Sequence, residues 1–310
     1  MSNYASNLSV ESVQEVVEEE SAAPKLRRRN RIETWLFLVP ALVLQLAWGT
    51  YPLIVSFILS LTDAQPILPS KFTGLQSYWR VWNDPLVAKA FQVTLWYAVI
   101  SIALTFLIPI IISILLLEMP PRVMRWMMLL WFLPLSSIGS TVLWKYLYDA
   151  NSGLFEYIAT ALLHLPRQQF LGNSGQVLFW LAFPWFLLSS PGLIYLASLQ
   201  SIPQSYYEAA EVEGASFIRK IWTVTLPRLR PIISVLLTFS IINSLQEFAW
   251  PRIMTNGEPA GASRTVVMYL YQYLLDQRFA DATALAVFLF LLIMALVILS
   301  RFLIKEDPDA

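Results

Sequence analysis

Long uninterrupted runs of apolar residues dominate the chain. The two longest extend for 27 residues without a charge, and a later run carries only one charge, Glu247. A helix needs about 20 mostly apolar residues to cross a bilayer core, whereas a barrel strand alternates over about ten residues. The pattern therefore predicts an all-α integral membrane protein with six transmembrane helices, at about 35–61, 91–117, 126–144, 177–199, 231–249 and 282–300.

The composition supports the same class. Hydrophobic residues make up 57% of the 310 residues, charged residues make up 14%, and the mean hydropathy is +0.57. A soluble domain has about 45–50% apolar and about 25% charged residues. There is no cysteine, which excludes thiol catalysis, zinc–thiolate sites and disulfides. The 21 basic residues balance 21 acidic ones, so nucleic-acid binding is not indicated. We expect neither a catalytic residue nor a metal site.

The distribution of Lys and Arg predicts the orientation. With a cytoplasmic N-terminus, 13 of the 21 basic residues fall in cytoplasmic segments and 8 fall outside, and five lie within 25–31. Cytoplasmic loops carry an excess of Lys and Arg, so both termini are predicted to be cytoplasmic. The acidic segment 1–30 is expected to be a disordered tail, 31–305 the transmembrane domain, and 306–310 a short C-terminal tail.

The loop 200–231, between the fourth and fifth predicted spans, has the most specific local pattern. Ser205 and Glu208 have the spacing of a capping box, which predicts a helix that starts near Tyr206. Gly214 fits the left-handed position that often ends a helix. The loop should therefore contain a short helix outside the membrane.

A second short helix is predicted after the first. Ser216 is suited to cap its N-terminus, and Pro227 is expected to end it. The first helix carries small residues, Ala209 and Ala210, which would let a partner surface approach its backbone. The loop is thus predicted to present two short helices in the cytoplasm.

These residues resemble the EAA loop of permease subunits of binding-protein-dependent ABC importers. The residues that match are Glu208, Ala209, Ala210, Gly214, Ala215, Leu226 and Pro227. Weaker matches follow in the family's order along 31–305, at 51–52, 72–78, 132–134, 144 and 255–259. Together they resemble the carbohydrate-uptake branch, in particular the first permease of a two-permease system. Glu258 departs from the family, which usually has glycine there.

The resemblance implies a type I importer permease, which is a transport subunit and not an enzyme. Such a subunit lies in the prokaryotic inner membrane, pairs with a second permease and docks an ATPase through its EAA loop. An external binding protein delivers a sugar or sugar-like solute. None of the ten glycines is followed by lysine, so the chain lacks a phosphate-binding loop. ATP and Mg²⁺ are therefore expected on two partner ATPase subunits.

Polar residues in the fifth predicted span are candidates for solute contact. Ser240, Ser244 and Glu247 share one helix face, and Asn243 lies on an overlapping one. A charge within a span costs about 2.5–3.5 kcal/mol and usually faces a cavity. Amides, carboxylates and aromatic rings are groups that bind sugars, and the resemblance implies that Ser240, Ser244 and Glu247 fall at positions that contact sugar in similar permeases. The alternative is that these groups bridge helices or lie near the outer interface.

The fourth predicted span offers a second set of candidates. Trp185 and Ser190 would line an irregular polar segment next to Pro191 and Gly192. Similar permeases bind solute there, although helix packing explains these residues equally well.

Two other function classes make different predictions. A secondary transporter or channel would show inverted repeats or an internal charge relay, whereas the two halves of this chain show no self-similarity. An intramembrane enzyme would need paired catalytic groups within the spans, and Glu247 has no obvious partner in the chain.

Overall fold

The computed structural model describes residues 35–64, 71–132, 138–187 and 191–304. Within those ranges the structure is helices and loops, with one isolated antiparallel bridge between Thr62 and Phe72. The chain forms two compact units, of which the first ends at Ile58 and the second begins at Leu59. The predicted tails, 1–30 and 306–310, lie outside the described residues.

The first unit contains one described helix, α1 (Trp35–Ser60), whose last two residues belong to the second unit. Its side chains are apolar and exposed: Phe37 is 82% exposed and Trp48 is 79% exposed. Such a surface is expected for a helix that is surrounded by lipid rather than by water.

The second unit contains the other helices. In chain order they are α2 (Gln76–Trp82), α3 (Pro85–Leu117), α4 (Pro121–Phe132), α5 (Ile138–Leu147), α6 (154–162), α7 (Val177–Leu187), α8 (Pro191–Gln200), α9 (Gln204–Val212), α10 (217–245), α11 (Ala249–Met254), α12 (Val266–Leu275) and α13 (Phe279–Leu303).

Four helical stretches in the described part of the chain are long and apolar enough to cross a membrane. They are α1, α3, α10 together with α11, and α13. The third and fourth predicted spans each include residues outside the described ranges, at 133–137 and 188–190. The structure therefore describes these two spans as the pairs α4 with α5 and α7 with α8, and the full set of six spans stays a prediction.

Three of the long helices widen into a π-helical stretch that ends two residues before a proline. A proline lacks the N–H group, and its ring clashes with the carbonyl four residues earlier. In each case that carbonyl lies inside the widened stretch, so the wider turn accommodates the ring and the helix continues. The pairs are 45–50 with Pro52, 103–107 with Pro109, and 221–225 with Pro227.

The prediction that Pro227 ends a second short helix is therefore wrong. The helix that starts after Ser216 continues through the widened stretch and on to Leu245. The second loop helix and the fifth predicted span are thus one helix, α10, which begins 14 residues before the predicted start at Pro231.

Helix α3 lies at the centre of the second unit. Its Val87 packs in a buried cluster with residues of α10, α12 and α13. Further along, Tyr97 belongs to a cluster with α7 and α11, and Phe106 to one with α8 and α10. Because one helix contributes to all three clusters, it fixes the ends of α10 and α11 relative to α7 and α8.

Candidate functional site: the α9 loop and the end of α10

Helix α9 starts earlier than its sequence predicts. Its N-cap residue is Pro203, and Gln204 is its first helical residue. Ser205 therefore lies within the first turn, and the capping box that it was predicted to form with Glu208 is wrong. The physical reason is that Pro203 has a fixed φ of −59° and an extended ψ of 134°, which already directs the chain into a helix.

The predicted end of α9 is confirmed. Gly214 has a φ of +75°, in the left-handed region. The N–H of Gly214 donates to the carbonyl of Glu211 at 2.9 Å, and the N–H of Ala215 donates to that of Ala210 at 2.9 Å. This pair of bonds is the Schellman motif, which satisfies the last carbonyls of a helix. Ser216 then caps α10, since its hydroxyl accepts the N–H of Arg219 at 3.4 Å.

The residues that match the EAA loop lie on two elements. Glu208 and Ala209 are exposed on α9, Ala210 and Ala215 are partly buried at its base, Gly214 is exposed, and Leu226 and Pro227 are partly buried in α10. Val212, one turn after Glu208, is 89% exposed. Glu208 and Val212 therefore mark an outward face of α9 that has no packing partner among the described residues.

Three contacts that the sequence did not predict attach α9 to α10. The guanidinium carbon of Arg228 lies 3.5 Å from the ring centroid of Tyr206. The hydroxyl groups of Tyr207 and Thr225 are 3.1 Å apart. Lys220 donates to the carboxylate of Glu211 at 2.7 Å. These contacts hold one side of α9 and leave the Glu208 face free.

A short non-helical segment follows α10. Helix α10 stops at Leu245, and α11 begins at Ala249. The carboxylate of Glu247 accepts the backbone N–H of Trp250 at 3.2 Å, and its carbonyl accepts the hydroxyl of Thr265 at 3.0 Å. Glu247 therefore stabilises the start of α11, because a carboxylate at a helix N-terminus satisfies free N–H groups.

The other candidates on α10 differ in exposure. Asn243 is exposed and Ser240 is partly exposed. Ser244 is buried, and its hydroxyl donates to the carbonyl of Ile241 at 3.2 Å. Gln246, which follows the last turn of α10, is exposed as well. The accessible polar groups at this helix end are thus the amides of Asn243 and Gln246, with the hydroxyl of Ser240 one turn earlier.

Aromatic residues gather beside this segment. The rings of Trp185 and Trp250 lie 5.1 Å apart, and Trp185 shares a side-chain hydrogen bond with Tyr97. The Glu247 carboxylate lies close enough to Tyr97 to interact with it electrostatically. The structure therefore places Trp185 and Glu247, which the sequence offered as separate candidates on two spans, around Tyr97, which no local pattern singles out. Ser190 lies outside the described residues.

The described residues offer no metal centre. No group of three or more histidine, aspartate or glutamate side chains lies close enough together in these ranges to hold an ion. The chemistry available at the two candidate regions is hydrogen bonding and aromatic contact.

Comparison with known proteins identifies the family. Residues 123–306 match the family described as "Binding-protein-dependent transport system inner membrane component". The sulfoquinovosyl glycerol transport system permease of Agrobacterium fabrum is 33% identical, over 84% of this chain and 86% of that protein. The trehalose/maltose transport system permease of Thermococcus litoralis is 28% identical, over 88% of this chain and 94% of that protein.

A solved structure shows the same fold. A chain from a bacterial alginate ABC transporter, in complex with an alginate pentasaccharide-bound periplasmic protein, superposes with a TM-score of 0.76. The two chains are 20% identical, and the match covers 91% of this chain and 96% of the other. The expected all-α permease fold is confirmed, and the chain belongs to the family of inner membrane components of binding-protein-dependent transport systems, as a multi-pass transport subunit of an ABC importer rather than an enzyme.

Proposed function

We propose that the chain forms half of the path by which an ABC importer moves a sugar-like solute, and that α9 docks an ATPase subunit. A second permease completes the path, two ATPase subunits bind ATP and Mg²⁺, and an external binding protein delivers the solute. Both termini and α9 lie on the cytoplasmic side, as the excess of Lys and Arg in those segments favours.

The exposed face of α9 supports the docking role. Glu208 and Val212 lie one helical turn apart on a helix that is not itself one of the membrane-spanning stretches. A carboxylate beside a fully exposed apolar side chain is suited to a protein partner that offers a cation and an apolar cleft. The Schellman motif at Gly214 supports the same role, because it orients the last turn of α9 for a partner.

The end of α10 supports a neutral, hydroxyl-rich solute, and this observation carries the proposal. Amide side chains are exposed at Asn243 and Gln246, next to the segment that leads to Trp250. Amide side chains both donate hydrogen bonds to hydroxyl groups and accept hydrogen bonds from them. The names of the relatives include sulfoquinovosyl glycerol and trehalose/maltose transport systems, which support a hydroxyl-rich, sugar-like solute.

Uptake by the reconstituted importer tests this proposal. The complete complex, with both permeases, the ATPases and the binding protein, is placed in proteoliposomes and supplied with a panel of saccharides, glycosides and polyols. We expect ATP-dependent uptake of at least one of them. Asn243→Ala should raise the solute concentration for half-maximal uptake about tenfold. The substitution removes a hydrogen bond to the solute and leaves a hydroxyl group of the bound solute without a partner.

Ser244→Ala is the matched control. Its hydroxyl is buried and bonded to the backbone of Ile241, so its removal should leave the half-maximal concentration unchanged. A complex that takes up none of the panel would contradict the sugar-like solute. Equal effects of the two substitutions would contradict the assignment of Asn243 to the solute path.

A further inference from the structure

The contacts between α9 and α10 are spaced along most of the shorter helix. Tyr206 and Tyr207 lie in its first turn, and Glu211 lies in its last. Their partners on α10 are Arg228, Thr225 and Lys220, so the order of the contacts is reversed along the second helix. Because α9 is joined to α10 near both of its own ends, it cannot rotate about one contact without breaking another.

The same contacts leave the docking face of α9 free. Glu211 and Tyr207 are one turn apart and face α10, whereas Glu208 and Val212 are one turn apart and face outward. The residues that hold α9 to its own chain are therefore different from those proposed to meet the ATPase. Substitution of one set leaves the other set in place.

Helix α10 connects this loop directly with the proposed solute path. It is continuous from Phe217 to Leu245, which corresponds to about 43 Å at 1.5 Å per residue. Lys220 also interacts electrostatically with Glu118, which follows the last turn of α3. A displacement of α9 is thus passed to one long helix whose far end carries Asn243.

We infer that the pairs Tyr206–Arg228 and Glu211–Lys220 are positioning contacts that transmit motion between the docked ATPase and the membrane helix α10. This inference rests on the proposed docking role of α9 and adds the residues that make the coupling rigid. An ATPase that closes on ATP would move α9, and these pairs make α10 move with it. Without them, α9 stays docked but turns relative to α10, and ATP is hydrolysed without uptake.

Conservative and disruptive substitutions of each pair test the inference in the complete complex. Tyr206→Leu removes the ring on which Arg228 lies, whereas Tyr206→Phe keeps the ring and removes only the hydroxyl. Glu211→Lys and Lys220→Glu each place like charges together, whereas the double exchange restores the opposite charges. The three quantities measured are co-purification of the ATPase, ATP hydrolysis stimulated by the loaded binding protein, and solute taken up per ATP.

We expect Tyr206→Leu, Glu211→Lys and Lys220→Glu to co-purify with the ATPase at parental levels. Solute taken up per ATP should fall roughly two- to fivefold in each, as expected for the loss of one partly exposed contact. Solute taken up per ATP should stay at the parental value in Tyr206→Phe and should be restored by the double charge exchange. Recovery by these two variants separates a positioning role from a general loss of structure.

Several outcomes would overturn the inference. Parental uptake per ATP in the three disruptive variants would show that the contacts do not transmit motion. Loss of ATPase co-purification in them would make these residues part of the docking surface instead. The double exchange is made with Glu118→Gln, which removes the second carboxylate that acts on residue 220, and its failure to recover the ratio of a Glu118→Gln complex would exclude the Glu211–Lys220 pair. The proposed function fails separately, if the parental complex does not bind an ATPase or take up any solute of the panel.

Discussion

Two polar networks in the second unit differ in the burial of their carboxylates, and the difference separates a buried scaffold from a helix held by a solvent-exposed ion pair. At the start of α13, buried Asp281 accepts hydrogen bonds from Arg80 at 2.8 and 3.0 Å and from Arg278 at 2.9 Å. We call these three residues the Asp281 network. The carboxylate of the α9 ion pair is instead open to solvent: the side chain of Glu211 is 59% exposed, whereas that of Asp281 is 6% exposed.

Burial decides what each network does. A buried carboxylate that loses its counter-charge is costly, so the Asp281 network holds α2 and α13 firmly together. An exposed ion pair adds little to stability, because water solvates either partner when they separate. The α9 ion pair therefore sets the orientation of a helix without fixing the fold, which is consistent with the proposed docking of an ATPase.

The neighbouring carboxylate of Asp84 extends the scaffold. It caps α3 by accepting the N–H of Leu86 at 2.9 Å, and it accepts the hydroxyls of Tyr269 and Tyr273 at 3.1 and 2.8 Å. These bonds join the start of α3 to α12. Burial, followed by the bond to Asp84, raises the pKa of the Tyr273 hydroxyl above its ordinary value.

The largest expected effect comes from removal of both arginines of the Asp281 network. Arg80→Met combined with Arg278→Met leaves the Asp281 carboxylate buried without a counter-charge, which should destabilise the protein by about 3–5 kcal/mol. The measurement is the thermal unfolding midpoint of the purified protein in detergent. Asp276→Asn, at an exposed carboxylate bonded to Gln272, is the control and should leave the midpoint unchanged. Equal midpoints for both variants would contradict the assignment of this network as scaffold.

A smaller effect is expected from Asp84→Asn. The amide keeps one acceptor oxygen but loses the charge that strengthens the tyrosine bonds, so the free energy of unfolding should fall by about 1–2 kcal/mol.

A raised pKa in the folded state means that the stability contributed by Tyr273 is present below about pH 10 and is lost as the pH rises through the folded pKa. The stability difference between the parent and Tyr273→Phe should accordingly be constant near neutral pH and shrink in alkali. An unchanged difference up to the alkaline limit would contradict this origin.

The smallest effect on stability is expected at Gly214, where the consequence is for coupling. A side chain at this position would meet no atom of the chain within 4 Å, so the requirement for glycine is the positive φ. Gly214→Asn should retain most ATPase co-purification, because asparagine tolerates the left-handed conformation, whereas Gly214→Ala should lower it about fivefold. Equal loss in both variants would show that the partner approaches the glycine too closely for any side chain.

The elements predicted correctly are those decided by neighbouring residues. Gly214 ends α9 because glycine alone adopts positive φ without cost, and Ser216 caps α10 because its hydroxyl reaches an N–H three residues ahead. The apolar runs became long helices because a membrane leaves the backbone no other partner than itself. Those rules act within a few residues, so a single sequence is enough to apply them.

The elements that local patterns missed depend on distant parts of the chain. Pro227 was expected to end a helix, but α10 continues through it because the turn before it widens and the helix packs against α3 and α8. Glu247 was a candidate for solute contact, with helix bridging as the alternative, and the structure adds that its carboxylate accepts an N–H from the first turn of α11. The stacking of Arg228 on Tyr206 joins residues on two helices, and no spacing in either helix indicates it.

Hydropathy and local backbone requirements are enough to predict the membrane class, the long apolar helices, the position of the α9 loop and the residues that end it. Which side of α9 is held, which side is free and which carboxylates are buried depend instead on how the helices pack. Arg80 and Asp281 are 201 residues apart in the chain and 2.8 Å apart in space. Such contacts exist because helices from distant segments pack side by side, and packing depends on all of them at once.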